Sequence, residues 1–136
     1  MTTGQCLCGA VRVTISALPN GFGICHCKMC QRWTGLAFCG AEVPDENVTV
    51  EGAEHVTAYR SSDASTRSFC RHCGSTLWFR DKGRAAYEIA LGLLDDEEGV
   101  RITREIFIDR KSDAWSVAGD LPAETEAEYF ARKDAS

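Results

Sequence analysis

The sequence predicts a mostly β domain of short antiparallel strands, single and tied together at cysteine knuckles, and three observations carry that prediction. Short apolar runs alternate with polar residues at a period of two, with glycine, proline or a polar cluster between them, which is the pattern of half-buried strands and tight turns. A length of 136 residues suits one domain, able to bury a core yet small enough to gain from cross-links. Eight cysteines fall largely in groups, and core packing gives no reason to set two of them one residue apart with a third close behind, as in Cys25-His26-Cys27-Lys28-Met29-Cys30.

Taken in order, Gly4-Gln5-Cys6-Leu7-Cys8-Gly9 is a CxCG knuckle that feeds a strand over residues 10–15, where Val11, Val13 and Ile15 alternate with Arg12 and Thr14. Residues 18–23 carry a proline and two glycines and predict a turn. After the central cluster, residues 31–34 predict one helical turn stopped by Gly35. A strand over 36–43 ends in the turn 44–47, and two short strands, 48–51 and 55–60, flank Gly52. The polar stretch 61–67 predicts a loop before the second knuckle, Phe69-Cys70-Arg71-His72-Cys73-Gly74, and a strand over 76–79. The turn 81–84 predicts a hairpin into a buried strand over 87–93; an acidic, solvated loop at 95–99 leads to a strand over 102–108. Residues 113–122 are irregular, with Trp115 as a packing anchor, and residues 124–132 predict a short helix.

A formal net charge of −5 argues against a nucleic-acid binder. The first residues lack the pattern of a leader, and no apolar run approaches the ~20 residues of a membrane span, so the expectation is a soluble, cytoplasmic protein. In a reducing compartment, closely spaced thiols point to metal ligands, with a disulfide framework between clusters as the alternative. Cys6 and Cys8, or Cys25 and Cys27, are too near along the chain to bridge each other without strain.

The thiols divide by their surroundings. Cys6/Cys8 and Cys70/Cys73 each end in Cys-Gly and each precede a strand; glycine there permits the positive φ of a tight knuckle and lets backbone N–H groups face the sulfurs. Four thiolates complete a tetrahedral zinc, so these two pairs predict a closed structural site. Cys25, Cys27 and Cys30 then supply three ligands and leave one corner, which is the mark of a catalytic zinc and suits a thiol substrate. Cys39 or His26 closing that corner is the alternative; Cys39 otherwise reads as core and His26 as directed away from the metal. His72 is expected to meet solvent or a backbone carbonyl and His55 to be an ordinary strand residue, while Lys28 and Arg32 stand ready to attract an anionic substrate and Trp33 to line a cleft or pack in the core.

With CxCG, CHCxxC followed by Trp33-Thr34-Gly35, and FCxxCGS in this order, and with Phe107-Ile108-Asp109 and Asp120-Leu121-Pro122 later, the chain resembles the glutathione-dependent formaldehyde-activating enzyme family, which includes centromere protein V. The resemblance implies a zinc-knit β-tent over residues 4–123 with a tail over 124–136. It also implies two zinc ions per chain: a structural one on Cys6, Cys8, Cys70 and Cys73, and a catalytic or labile one on Cys25, Cys27 and Cys30. The activity it implies is that of a carbon-sulfur lyase, joining formaldehyde to glutathione as S-hydroxymethylglutathione, with a small thiol as partner. A non-catalytic zinc module for protein interaction is the alternative reading.

Overall fold

The computed structural model describes residues 1–135. In chain order they form β1 (Thr2–Gln5), β2 (Arg12–Ile15), β3 (Gly21–Cys25), α1 (Lys28–Thr34), β4 (Phe38–Pro44), β5 (Val48–Glu51), β6 (Val56–Arg60), β7 (Ser65–Cys70), β8 (Thr76–Asp81), β9 (Ala86–Ala90), β10 (Arg101–Ile106) and α2 (Glu126–Asp134). The small domain is mostly β, as the alternation predicts, and it sorts into two compact units: Met1–Asn20 with Gly40–Val100, and Gly21–Cys39 with the residues from Arg101 onward.

Strand pairing in the first unit is antiparallel throughout. One sheet has the order β1-β2-β5. Here Val11, Val13 and Ile15 are buried, as their spacing predicts, and Val13 faces both Gly4 and Val50 across the ladder. Strand β1, Thr-Thr-Gly-Gln, has no apolar residue to betray it; it is a strand because β2 offers it a ladder, and Gly4 fits where a Cβ would lie 2.4 Å from the Leu93 carbonyl oxygen. In the other set, β9 lies between β8 and residues 40–44 of β4, while β7 links β8 to β6. The turn at 81–84 closes the β8–β9 hairpin, with Gly83 at φ 83°.

Three expectations are corrected in this unit. Residues 65–67 are the start of β7 and not loop: Arg67 is buried, its guanidinium 5.0 Å above the Phe79 ring and its Nε donating to the Ser61 hydroxyl, so an apparently polar stretch packs through its long side chain. Residues 91–93 leave the strand for a 3-10 turn that still buries Leu93. His55 closes a 3-10 turn, Ala53–His55, so β6 begins one residue later.

In the second unit, β3 and β10 run parallel, with Ile106 opposite Cys25 and Glu105 opposite Ile24. This departs from the all-antiparallel expectation. Alternating burial has the same period in both kinds of ladder, so the pattern cannot report direction. Gly21 and Gly23 serve the pairing as well: they belong to β3, with Phe22 fully buried between them and Thr103 only 2.8 Å from where a Gly21 Cβ would lie. The helical turn expected at 31–34 begins earlier, as α1, and Gly35 ends it at φ 95°. Residues 36 and 37 stay outside β4 because the Thr34 hydroxyl holds the turn, donating to the Cys30 and Ala37 carbonyls and accepting from the Leu36 N–H. Strand β10 stops at Ile106, where Phe107 takes φ 55° and a 3-10 turn follows. The tail is α2, opened by a reciprocal capping box between Thr125 and Glu128.

Candidate metal centres

Two groups of thiols form, each inside one unit: Cys6, Cys8, Cys70 and Cys73, and Cys25, Cys27 and Cys30, the ligand atoms of each group lying within 4.8 Å of one another. None of the eight cysteines is in a disulfide.

The four-thiol group is assembled by two knuckles of the same construction. Gly9 and Gly74 sit at φ 80° and 77°, donating their N–H groups to the carbonyls of Cys6 and Cys70, which is the positive-φ role that Cys-Gly predicts. Cys6 Sγ lies 3.7 Å from Cys8 Sγ, which lies 3.8 Å from Cys70 Sγ. A tetrahedral ion with metal–sulfur bonds of about 2.3 Å separates its ligands by about 3.8 Å, the spacing of these two sulfur pairs, so this donor set suits zinc. The thiols of this group differ in how readily they ionise. Cys73 is brought down to about 5 by the Ser75 hydroxyl and N–H. At Cys6 burial opposes the charge but is outweighed by the Val11 N–H at 3.3 Å and by the thiols of Cys8 and Cys70. At Cys8 the Ala10 N–H favours the thiolate, yet burial and the crowd of sulfurs push it up to about 11. A bound cation would be needed for all four sulfurs to carry charge together.

Sequence reading missed Ser75. Its hydroxyl lies 3.2 Å from Cys73 Sγ and accepts the Leu7 N–H at 2.9 Å, so it ties the two knuckles together across 68 residues. The FCxxCGS motif places a serine there, but nothing local says that it reaches the other knuckle.

The three-thiol group starts where β3 ends. Cys27 caps α1, its sulfur accepting the Cys30 N–H at 3.3 Å, and Cys30 is buried on the first turn. The Cys25 thiol is pushed well up by the neighbouring sulfurs of Cys27 and Cys30 and then by burial, so a cation must displace its proton to use it. Neither Cys39 nor His26 joins this group. His26 is fully buried and its Nε2 is 2.8 Å from Glu105 Oε1, an orientation that rules it out as the fourth ligand through that nitrogen. Its Nδ1 and the Nε1 of Trp115 are buried without a hydrogen-bond partner among the described residues, the rings 5.3 Å apart. Lys28 and Arg32 are exposed, four apart on α1 and so on one face. Trp33, half-buried, stacks on Phe38 at 5.2 Å.

The other two histidines depart in part from their expectations. His72 is exposed, as expected, but its Nε2 also lies 2.8 Å from His55 Nδ1, and His55 closes a 3-10 turn instead of sitting in a strand. No sequence signal joins residues seventeen apart in this way. Glu105 was also missed. It is the one buried position of β10, and nothing in its own sequence neighbourhood marks a carboxylate there as inward.

A mostly β fold that gathers cysteines into one group of four and one of three defines a class of proteins whose thiol clusters could hold metal ions. The family model of the glutathione-dependent formaldehyde-activating enzyme matches residues 1–110, and the chain belongs to that family. It is 31% identical over 119 residues, 85% of this chain and 84% of the other, to a Schizosaccharomyces pombe protein named an uncharacterized lyase. A crystal structure of a Rhodobacter sphaeroides protein, a structural-genomics target, is similar in fold, with a TM-score of 0.59 at 22% identity, covering 89% of this chain and 98% of that one.

Proposed function

We propose that this chain is a cytoplasmic, zinc-dependent carbon-sulfur lyase that binds a small thiol, glutathione by the family's name, and makes or breaks its adduct with a small aldehyde such as formaldehyde. The observation that carries the reading is the difference between the two groups: one has the four sulfurs that close a tetrahedral ion, the other has three and takes in neither Cys39 nor His26. Cys6, Cys8, Cys70 and Cys73 hold the structural zinc of a domain over residues 4–123, and Cys25, Cys27 and Cys30 hold the catalytic one. The boundary is supported by the last strand bridge, at Ala123, and by the helix cap that follows at Thr125, which begins the tail of 124–136.

A zinc ion held by the three thiols would supply Lewis acidity that favours the deprotonated form of a substrate thiol. The chain's own residues do the rest. Cys25, Cys27 and Cys30 would hold the ion, and Lys28 and Arg32, exposed on one face of α1, attract the carboxylates of the thiol substrate. In the reaction a sulfur–carbon bond forms, the carbonyl π bond breaks, and the thiol proton ends on the new hydroxyl oxygen; no oxidant or reductant is needed.

The test follows 13C-formaldehyde and glutathione by NMR exchange spectroscopy with and without the zinc-loaded chain. Exchange between the free thiol and its hydroxymethyl adduct faster than the spontaneous rate, and abolished by Cys27→Ser, supports the lyase. An unchanged rate contradicts it and leaves a zinc module for protein interaction.

A further inference from the structure

The loop that carries the three thiols is strapped from behind. His26 lies between Cys25 and Cys27 in extended backbone, where alternate side chains point to opposite sides, so the ring of His26 occupies the side away from the two sulfurs. Four hydrogen bonds, one of them to the ring, hold this stretch. The His26 N–H donates to the Ile106 carbonyl at 3.0 Å, and Nε2 meets Glu105 Oε1 at 2.8 Å. Gln31 Nε2 donates to both the His26 and the Arg110 carbonyls at 2.7 Å. Glu105 is itself pinned on the backbone, its N–H donating to the Pro122 carbonyl and its carbonyl accepting the Glu124 N–H.

Glu105 and His26 are 9% and 0% exposed, and a buried carboxylate–imidazole pair adds little to stability over an apolar pair of the same volume. Its contribution is direction: a carboxylate oxygen at hydrogen-bond distance sets one ring orientation, and the ring sets the backbone from which Cys25 and Cys27 project. We infer that Glu105 is a positioning residue for the three-thiol centre, acting through His26 to hold the Cys25 and Cys27 sulfurs in the spread that a metal ion requires. This rests on the reading of that centre as a zinc site and deepens it. The group that orients the ligands is a carboxylate 79 residues away in sequence, on the neighbouring strand.

The experiment is cobalt(II) binding to the full chain, with competition by a chelator of known affinity. The absorption lost in Cys27→Ser identifies the three-thiol centre, and the remainder reports the four-thiol centre. A double variant, Glu105→Leu with His26→Phe, replaces both buried polar groups by apolar ones and so leaves no orphaned charge. It is expected to keep its far-UV circular dichroism and its four-thiol cobalt while the three-thiol centre loses about 10–100-fold in affinity. Glu105→Gln, whose amide oxygen still accepts from Nε2, is expected to bind as the wild type does. The inference is overturned if the double variant holds cobalt at the three-thiol centre as tightly as the wild type. It is equally overturned if that variant unfolds, because the pair then serves the fold and not the cluster. A wild-type chain that takes up no metal at the three thiols removes the zinc reading as well, which distinguishes the two failures.

Discussion

The sulfur of Cys27 accepts the Cys30 N–H and so opens α1 while facing Cys25 and Cys30. Serine is among the best residues for that cap and a poor ligand for zinc, so Cys27→Ser separates the two roles. Metal analysis should show one equivalent lost with the far-UV spectrum preserved; global unfolding of this variant would contradict the division of the thiols. Ser75 offers a second residue-scale test. Its hydroxyl serves both knuckles, so Ser75→Ala removes the Cys73 contact and leaves the Leu7 N–H without its acceptor. The loss is about 1 kcal/mol, which should appear as roughly fivefold faster release of the four-thiol metal to a chelator.

Among the elements, α2 has the most self-contained support. Thr125 Oγ1 accepts the Glu128 N–H at 3.1 Å, and the Glu128 carboxylate accepts the Thr125 N–H at 3.0 Å. The Thr125 N–H, and then its hydroxyl, hold the Glu128 carboxyl below its ordinary value of 4.5. A carboxyl lowered in the folded state stabilises the helix above the unfolded value and loses that contribution as pH falls through the folded one. Acidification below 4.5 should therefore fray residues 126–134 first, read by backbone NMR shifts, and Thr125→Ala should leave the helix frayed at neutral pH. Such local chemistry is what sequence expresses well. The tail helix, the Gly35 stop and the alternation of β2, which begins at Arg12 and not at residue 10, were all readable from residues within a turn or two of one another. Strand β1 was not, because its warrant is a partner and not its own side chains, and neither was the parallel sense of β3 and β10.

At the scale of the molecule, the four-thiol group closes a loop from Cys6 to Cys73 and the three-thiol group closes only six residues. Loss of a metal should follow that difference, since a structural zinc contributes on the order of 10 kcal/mol to folding. Cys73→Ser should abolish the cooperative thermal transition of the first unit; a retained transition would show that this unit folds without its metal. The grouping of seven cysteines was legible because ligand spacing and the Cys-Gly step are properties of the chain itself. The supports behind them were not: His26–Glu105, Ser75–Leu7 and His55–His72 join residues 79, 68 and 17 apart, and only the fold makes them neighbours. Among the described residues no helix is long and apolar enough to cross a membrane.

The central claim is that the metal held by Cys25, Cys27 and Cys30 has one corner for an external thiol, and cobalt in place of zinc reads that corner directly. Titration of glutathione into the cobalt-loaded chain should intensify the thiolate-to-cobalt absorption of the three-thiol centre, saturating at one equivalent, and leave the four-thiol spectrum untouched. A spectrum that glutathione does not alter would contradict the account.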